Sequence, residues 1–292
     1  MAHTARNLDA AESLEVYRGH YDECQRGLRT LTRTRQQLLG QQTALKNTLR
    51  QVVYGASPEL AMFFADQHPT EEGYAYTLAV IRLFKNNPDV LSWKQASDDE
   101  LLQMMEASRR KSTLKNIANL RKILEKIAPI SEASACTLRV NATMIIALHE
   151  VINTVEKSIE ASTNDHPLVT QIDATRGVGR LTAATIVAEI QDKTFRSDDA
   201  LASYSGLCRR EHKTGNNDRE RQRRQYNRFL KNAFMQAAAG MKMQFGDPVI
   251  RSYYKSLLKR GMHKIEAQKR IARGFARKVY SLMKEEMNAK KK

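Results

Sequence analysis

Cys24, Leu28, Leu31, Arg35, Leu38, Gln42, Leu45, Leu49 and Val52 follow one another at alternating steps of four and three. That spacing decides how the first half of the chain is read. Apolar side chains recurring every three and four residues form a stripe along one side of an α-helix, the pattern by which helices pair. No proline interrupts the stretch from Asp9 to Tyr54, so one long helical arm is expected. Arg35 and Gln42 are polar at seam positions, where they fix register or partner choice at a cost in stability. A second seam, Leu138, Ile145, Leu148, Ile152, Val155 and Ile159, lies in the proline-free stretch from Ser131 to Asn164. The two seams can pair as an antiparallel hairpin, or each can meet its copy in a homodimer.

Between the seams a smaller helical insert is expected. Ser57-Pro58-Glu59 combines a cap with proline and acid in a first turn. Glu71 to Phe84, Asp98 to Arg110 and Lys111 to Ile127 read as helices, with a turn at Asn86-Asn87-Pro88-Asp89 and a stop at Pro129. No strand run and no internal repeat stands out. His166-Pro167 is the expected boundary between a helical arm with its insert (1–166) and a second domain (167–292).

Charge separates these halves sharply. Residues 1–166 hold 20 basic and 20 acidic residues, whereas residues 167–292 hold 28 and 12. The whole excess of +16 thus belongs to the C-terminal part, the footprint of a module that binds polyanions. The longest apolar runs, such as Met144 to Leu148, are too short to span a bilayer, and the basic segments lack the aromatic face of an interfacial helix. No membrane partner is therefore expected. The N-terminus shows no signal-peptide pattern. Cys24, Cys136 and Cys208 are far apart, which excludes a disulfide scaffold and suits a reducing cytoplasm.

Two segments of the basic part carry chemistry. Arg176-Gly177-Val178-Gly179-Arg180 opens an alanine-rich helix that includes Thr182. It resembles the turn of a helix-hairpin-helix element, in which glycines let phosphate approach the free N–H groups of a helix start. A tight helix–helix turn inside a core is the alternative. The second segment surrounds the turn Thr214-Gly215-Asn216-Asn217-Asp218. Arg209, Arg210, His212, Lys213, Arg219, Arg221, Arg223, Arg224, Arg228 and Lys231 supply charge, and arginine predominates, favouring forked contacts to phosphates and base edges. Asn216, Tyr226 and Asn227 add hydrogen-bonding and stacking groups. Alanine-rich Phe229 to Met243, a helix begun by Pro248 and Lys264 to Met287 complete the domain. The seven histidines show no metal-ligand spacing, no Walker loop is present, and no carboxylate cluster suits a two-metal site. No metal and no cofactor are expected, and on residues alone the chain reads as a protein that binds rather than cuts.

These motifs, in order, resemble the C-terminal domain of the bridge-RNA-guided insertion-sequence transposases. The resemblance rests on Thr175-Arg176-Gly177-Val178-Gly179, Ala188-Glu189-Ile190, Leu201 to Leu207, the basic loop and Asn227-Arg228-Phe229-Leu230-Lys231. It covers roughly residues 165–290 and extends loosely to Leu28–Lys46. Those transposases begin with a RuvC-like domain. Here Asp9-Ala10 fits its last acid, but Arg6 stands where that acid's partner would be. They also carry a serine before a glycine in the basic loop, where this chain has Thr214-Gly215. The departures make the chain similar to nuclease-free Tas proteins of TIGR systems, whose Nop-like domain binds a guide RNA. That likeness implies an all-α fold with coiled-coil arms and a basic Nop/transposase-like domain. It also implies a homodimer that binds guide RNA and recognises target DNA by guide pairing, without a nuclease of its own.

Overall fold

A computed structural model describes residues 23–66, 77–107, 111–190, 193–208, 213–214, 217–218 and 226–289. The fold is all-α, as expected. Strand structure among the described residues is confined to a two-residue antiparallel pair, β1 (Lys213–Thr214) with β2 (Asn217–Asp218).

The chain divides into two compact units, residues 37–154 and residues up to 36 together with 155–292. Two long helices, α1 (Glu23–Ala56) and α7 (Glu132–Ser162), run through both. The division differs from a single cut at His166-Pro167 for a specific reason. Leu28 of α1 and Ile159 of α7 are buried with Ala184 and Ala188 of the basic domain. Arg29 Nε also donates to the Ala188 carbonyl at 2.8 Å. The ends of both arm helices thus belong to that domain's core.

Both polar interruptions of the first seam meet the second seam's helix within this chain. Arg35 pairs with Glu156 at 2.7 Å in one unit. In the other, the buried Gln42 amide donates to the Ile145 carbonyl at 3.4 Å. By length and composition α7 is apolar enough to cross a membrane. Its Leu138, Ala142, Ile145 and Ile152 are instead buried within the protein, and Arg139, Glu150, Glu156 and Lys157 punctuate it.

In the unit of residues 37–154, five shorter helices fill the space between the arms: α2 (Pro58–Asp66), α3 (Leu78–Asn86), α4 (Val90–Gln95), α5 (Asp98–Met104) and α6 (Lys111–Leu124). Local signals set their ends. Ser57 Oγ accepts from the Leu60 N–H. Ser97 and Glu100 form a reciprocal capping box at the start of α5, satisfying two N–H groups that a helix start leaves unpaired. The chain leaves α5 earlier than the expected Arg110, at Glu106 with φ +48°. Helix α3 begins at Leu78; the expected start at Glu71 lies outside the described residues. Trp93 is fully buried against Phe84, ring centres 5.4 Å apart.

The second unit adds α8 (Pro167–Asp173), α9 (Arg180–Ile190), α10 (Asp198–Tyr204), α11 (Arg228–Lys242), α12 (Pro248–Lys259) and α13 (Lys264–Ala289). Helix α13 packs on α8, α10, α11 and α12, and α9 packs on α8 and α11. The core sets small side chains among large ones, with Ala183, Ala233, Ala237, Ala272 and Ala276 buried beside Ile186, Phe234 and Phe275. Alanine faces let helix backbones approach closely, as ridge-into-groove packing requires when side chains are short.

Candidate nucleic-acid interface

The segment from Arg209 to Gln225 is held at both ends on one spot of the domain. Before it, Gly206 takes φ +66°, a left-handed conformation that suits glycine. An added Cβ there would come within 2.7 Å of the Tyr226 ring. After it, the Asn227 N–H donates to the Tyr204 carbonyl at 2.9 Å. Asn227 also caps α11, its Oδ1 accepting from the Leu230 N–H at 3.0 Å. The residues that flank the segment therefore meet at a single point.

Beneath that point lies a charged cluster that the sequence did not single out as a binding or catalytic site. Glu189, 1% exposed, is the one acid of α9. Its carboxylate accepts a two-pronged contact from Arg33, at 2.7 and 2.9 Å. It also accepts from the Asn227 amide at 2.6 Å, and that amide reaches the Tyr204 hydroxyl at 3.1 Å. A carboxylate taken out of water is tolerable only when opposite charge and donors surround it. Arg33 fulfils this role, and its hydrogen bond to Glu189 raises the guanidinium pKa against the opposing effect of burial. The same guanidinium lies 4.8 Å from the centre of the Phe229 ring, over its face. Arg33, Tyr204, Tyr226, Asn227, Arg228 and Phe229 line a cavity of about 600 Å³. Arg228 is exposed at its rim, and Lys231 Nζ stands 4.5 Å over the Tyr226 ring.

The structure sorts the expected contact residues into several roles. Tyr226, Asn227, Arg228 and Lys231 gather at the returning stem. Lys213 and Thr214 lie in β1, facing Asp218 and Asn217 in register. Arg209, Arg210, His212, Asn216, Arg219, Arg221, Arg223 and Arg224 lie outside the described residues. In the glycine turn, Arg176 is exposed while Arg180 is employed internally. Its Nη2 donates to the carbonyls of Thr163 and Asn164 at 2.5 and 3.1 Å, beyond the end of α7. Thr182 is half-buried on α9. Gly177, at φ +84°, packs against the backbone of Gly240 in α11, so close that a Cβ on Gly240 would lie 2.0 Å from the Gly177 oxygen. Gly179 has open space where a Cβ would stand. One glycine of the pair is thus a packing element and the other is free. Among the described residues, no group of three or more His, Cys, Asp or Glu side chains is placed to hold a metal.

Asp198 and Asp199 at the start of α10 hold Arg277 and Arg273 of α13, at 3.0 and 2.9 Å. The hydrogen bond from Arg273, reinforced by its charge, keeps the Asp199 carboxyl below the usual aspartate range. A depressed carboxyl pKa favours the folded state above the unfolded pKa and ceases to do so as pH falls through the folded value. In an NMR titration Asp199 should therefore protonate at lower pH than a peptide aspartate. Arg273→Ala should return it to the ordinary range, and an unmoved titration would mean the pair does not exist in solution.

Comparison with known proteins bears on this same region. Residues 169–255 match the family described as Transposase IS116/IS110/IS902 family. A curated relative, the "Insertion element IS110 uncharacterized 43.6 kDa protein" of Streptomyces coelicolor, is 33% identical over 147 residues. That alignment takes in 49% of this chain and 36% of the relative, so the chain spans about a third of the relative's length. The match overturns the expectation of a protein that is not an enzyme, because transposases catalyse rearrangement of DNA strands. Absent metal spacing and the absent serine argued against catalysis locally, whereas the match spans residues 169–255. The chain is transposase-related, and its similarity to the IS116/IS110/IS902 transposases lies in the domain that roots the basic loop.

Proposed function

We propose that this chain acts on DNA as a transposase-related enzyme, its basic helical unit gripping nucleic acid through the loop rooted at Tyr204 and Asn227. One observation supports the reading most. The family match, residues 169–255, brackets the glycine turn, Glu189 with its partner Asn227 and the whole arginine-rich segment. In this reading the cationic loop holds phosphates and the Thr214 hydroxyl is the nucleophile. Its Oγ1 attacks a DNA phosphodiester, forms a phosphothreonine link and releases a deoxyribose hydroxyl that can later reverse the exchange. Thr214 takes this part because it precedes Gly215, where the transposases that the chain resembles carry serine. The finer form of the proposal adds a guide RNA on the same basic surface, target DNA chosen by pairing, and two copies of the chain per complex. Delegating sequence choice to base pairing leaves the protein to read backbone and shape, which suits an arginine-rich loop.

The test uses the purified full chain with whatever RNA accompanies it and end-labelled plasmid DNA. A covalent protein–DNA adduct is expected from the parent chain and from Thr214→Ser, and none from Thr214→Ala. An adduct that persists in Thr214→Ala places the nucleophile elsewhere, and the absence of any adduct ends the enzymatic reading. Sequencing the accompanying RNA is expected to return a few discrete species; random cellular RNA would refute the guide.

A further inference from the structure

A second cationic cavity lies between α13 on one side and α11 with α12 on the other. It measures about 510 Å³, within the roughly 300–1,000 Å³ common for sites that enclose a small ligand group. Met241, Ile250, Ile271 and Phe275 give it apolar lining. Arg270, Arg273 and Arg277, brought to one face of α13 by their three- and four-residue spacing, also line it, together with Lys278. Gly274 lies among them, and no atom stands within 4 Å of where its Cβ would be, so the helix surface between the cations is open.

The charges there are unequally committed. Asp247, the one carboxylate lining the cavity, is used as the cap of α12 and accepts from the Val249 and Ile250 N–H groups. Arg273 and Arg277 are tied to Asp198 and Asp199, and Lys278 donates to Thr175 Oγ1 at 3.1 Å. Arg270 is exposed and has no ion-pair partner among the described residues. Arg273 Nε is buried without an acceptor among them. Arg270 is thus the exposed cation that the cavity offers to an incoming acceptor. Tyr253 lines it with 43% of its surface exposed, and Val249, one turn earlier on α12, is 73% exposed.

From this geometry we infer that the cavity is a second nucleic-acid subsite, taking the phosphodiester backbone of a single strand. Cations on α13, Arg270 foremost, meet the phosphates, and the apolar lining with Tyr253 receives the sugar and base. The inference deepens the proposed function and rests on it. It assigns the domain a polynucleotide contact on α13 in addition to the one at the loop.

The test measures binding of fluorescein-labelled single-stranded DNA of mixed sequence to the full chain across a salt series, by anisotropy. Arg270→Ala with Lys278→Ala should weaken binding on the order of tenfold and flatten the log–log salt slope by about 1.4, at about 0.7 per phosphate contact on a single strand. Gly274→Glu, which introduces a carboxylate into open space, should weaken binding in the same direction. Lys255→Ala with Lys259→Ala removes equal charge from α12 outside the cavity. An equal slope change in that control would mean diffuse attraction and overturn the subsite. Unchanged binding in the α13 variants, with a flattened slope in the triple alanine variant of Arg221, Arg223 and Arg224, would refute the subsite and leave the loop reading standing. If none of these variants alters the slope, both readings fail. Competition by inorganic tripolyphosphate as effective as that of the unlabelled strand would assign the cavity to a free polyphosphate ion and overturn the polynucleotide.

Discussion

Gly240→Ala is expected to destabilise the basic unit by about 3 kcal/mol, the upper end for forcing atoms into a filled interior. The added methyl would stand 2.0 Å from the Gly177 carbonyl oxygen, and neither neighbour is a side chain that can swing away. Two backbones must separate, carrying α11 and the α8–α9 turn with them. Gly177→Ala should cost as much, because its Cβ would meet the Gly240 carbonyl at 2.6 Å and its φ of +84° disfavours any L side chain, a penalty of about 1–2 kcal/mol by itself. Gly179→Ala is the control: nothing stands within 4 Å of its Cβ, and a change within about 0.5 kcal/mol is expected. Urea unfolding followed by circular dichroism gives the three values. A Gly240→Ala protein as stable as the Gly179→Ala protein would contradict the close approach.

Trp93→Ala should remove about 3–5 kcal/mol from the unit of residues 37–154, the usual cost of deleting a large aromatic from a core. Trp93 is fully buried, faces the Phe84 ring, and donates its indole N–H to the Asn87 carbonyl at 2.8 Å. Truncation opens a void and strands that carbonyl. Because this is the one tryptophan of the chain, its fluorescence reports this unit alone in the parent protein. Hydrogen exchange of the variant should show protection lost across residues 37–154 and retained in α11 and α13. A loss below about 1 kcal/mol would mean that the surroundings collapse onto the void, the one route by which such truncations become cheap.

Long-range periodicity made the arms legible, and the polar seam positions carried information as well. Arg35 and Gln42 each find a partner on α7, which is what a pairing-specificity residue does. The cap at Ser57 was equally readable, because it acts on the Leu60 N–H three residues away; Ser97 and Asp247 act in the same local way. Helix α4, with Trp93, left no clear periodic signal because six residues make fewer than two turns. The cluster around Glu189 was hidden for a different reason. Its partners Arg33 and Asn227 lie 156 and 38 residues away, and only folding brings them together. A single acid in the run Leu181 to Ile190 was nevertheless a visible anomaly. The glycine turn shows the limit of motif reading, since Gly177 and Gly179 look interchangeable until Gly240 is seen beside one of them. Arg180, similarly, looks like an anion ligand until the carbonyls beyond α7 are seen in its reach.

The clasp between Asn227 and Tyr204 makes the intervening arginine-rich stretch an exchangeable cassette. With both ends pinned, lengthening it alters chiefly the entropy of closing a loop, about 0.6 kcal/mol for each doubling of length. The helices that carry it are left undisturbed. The sequence between the two pinned ends can thus change without the frame having to evolve with it.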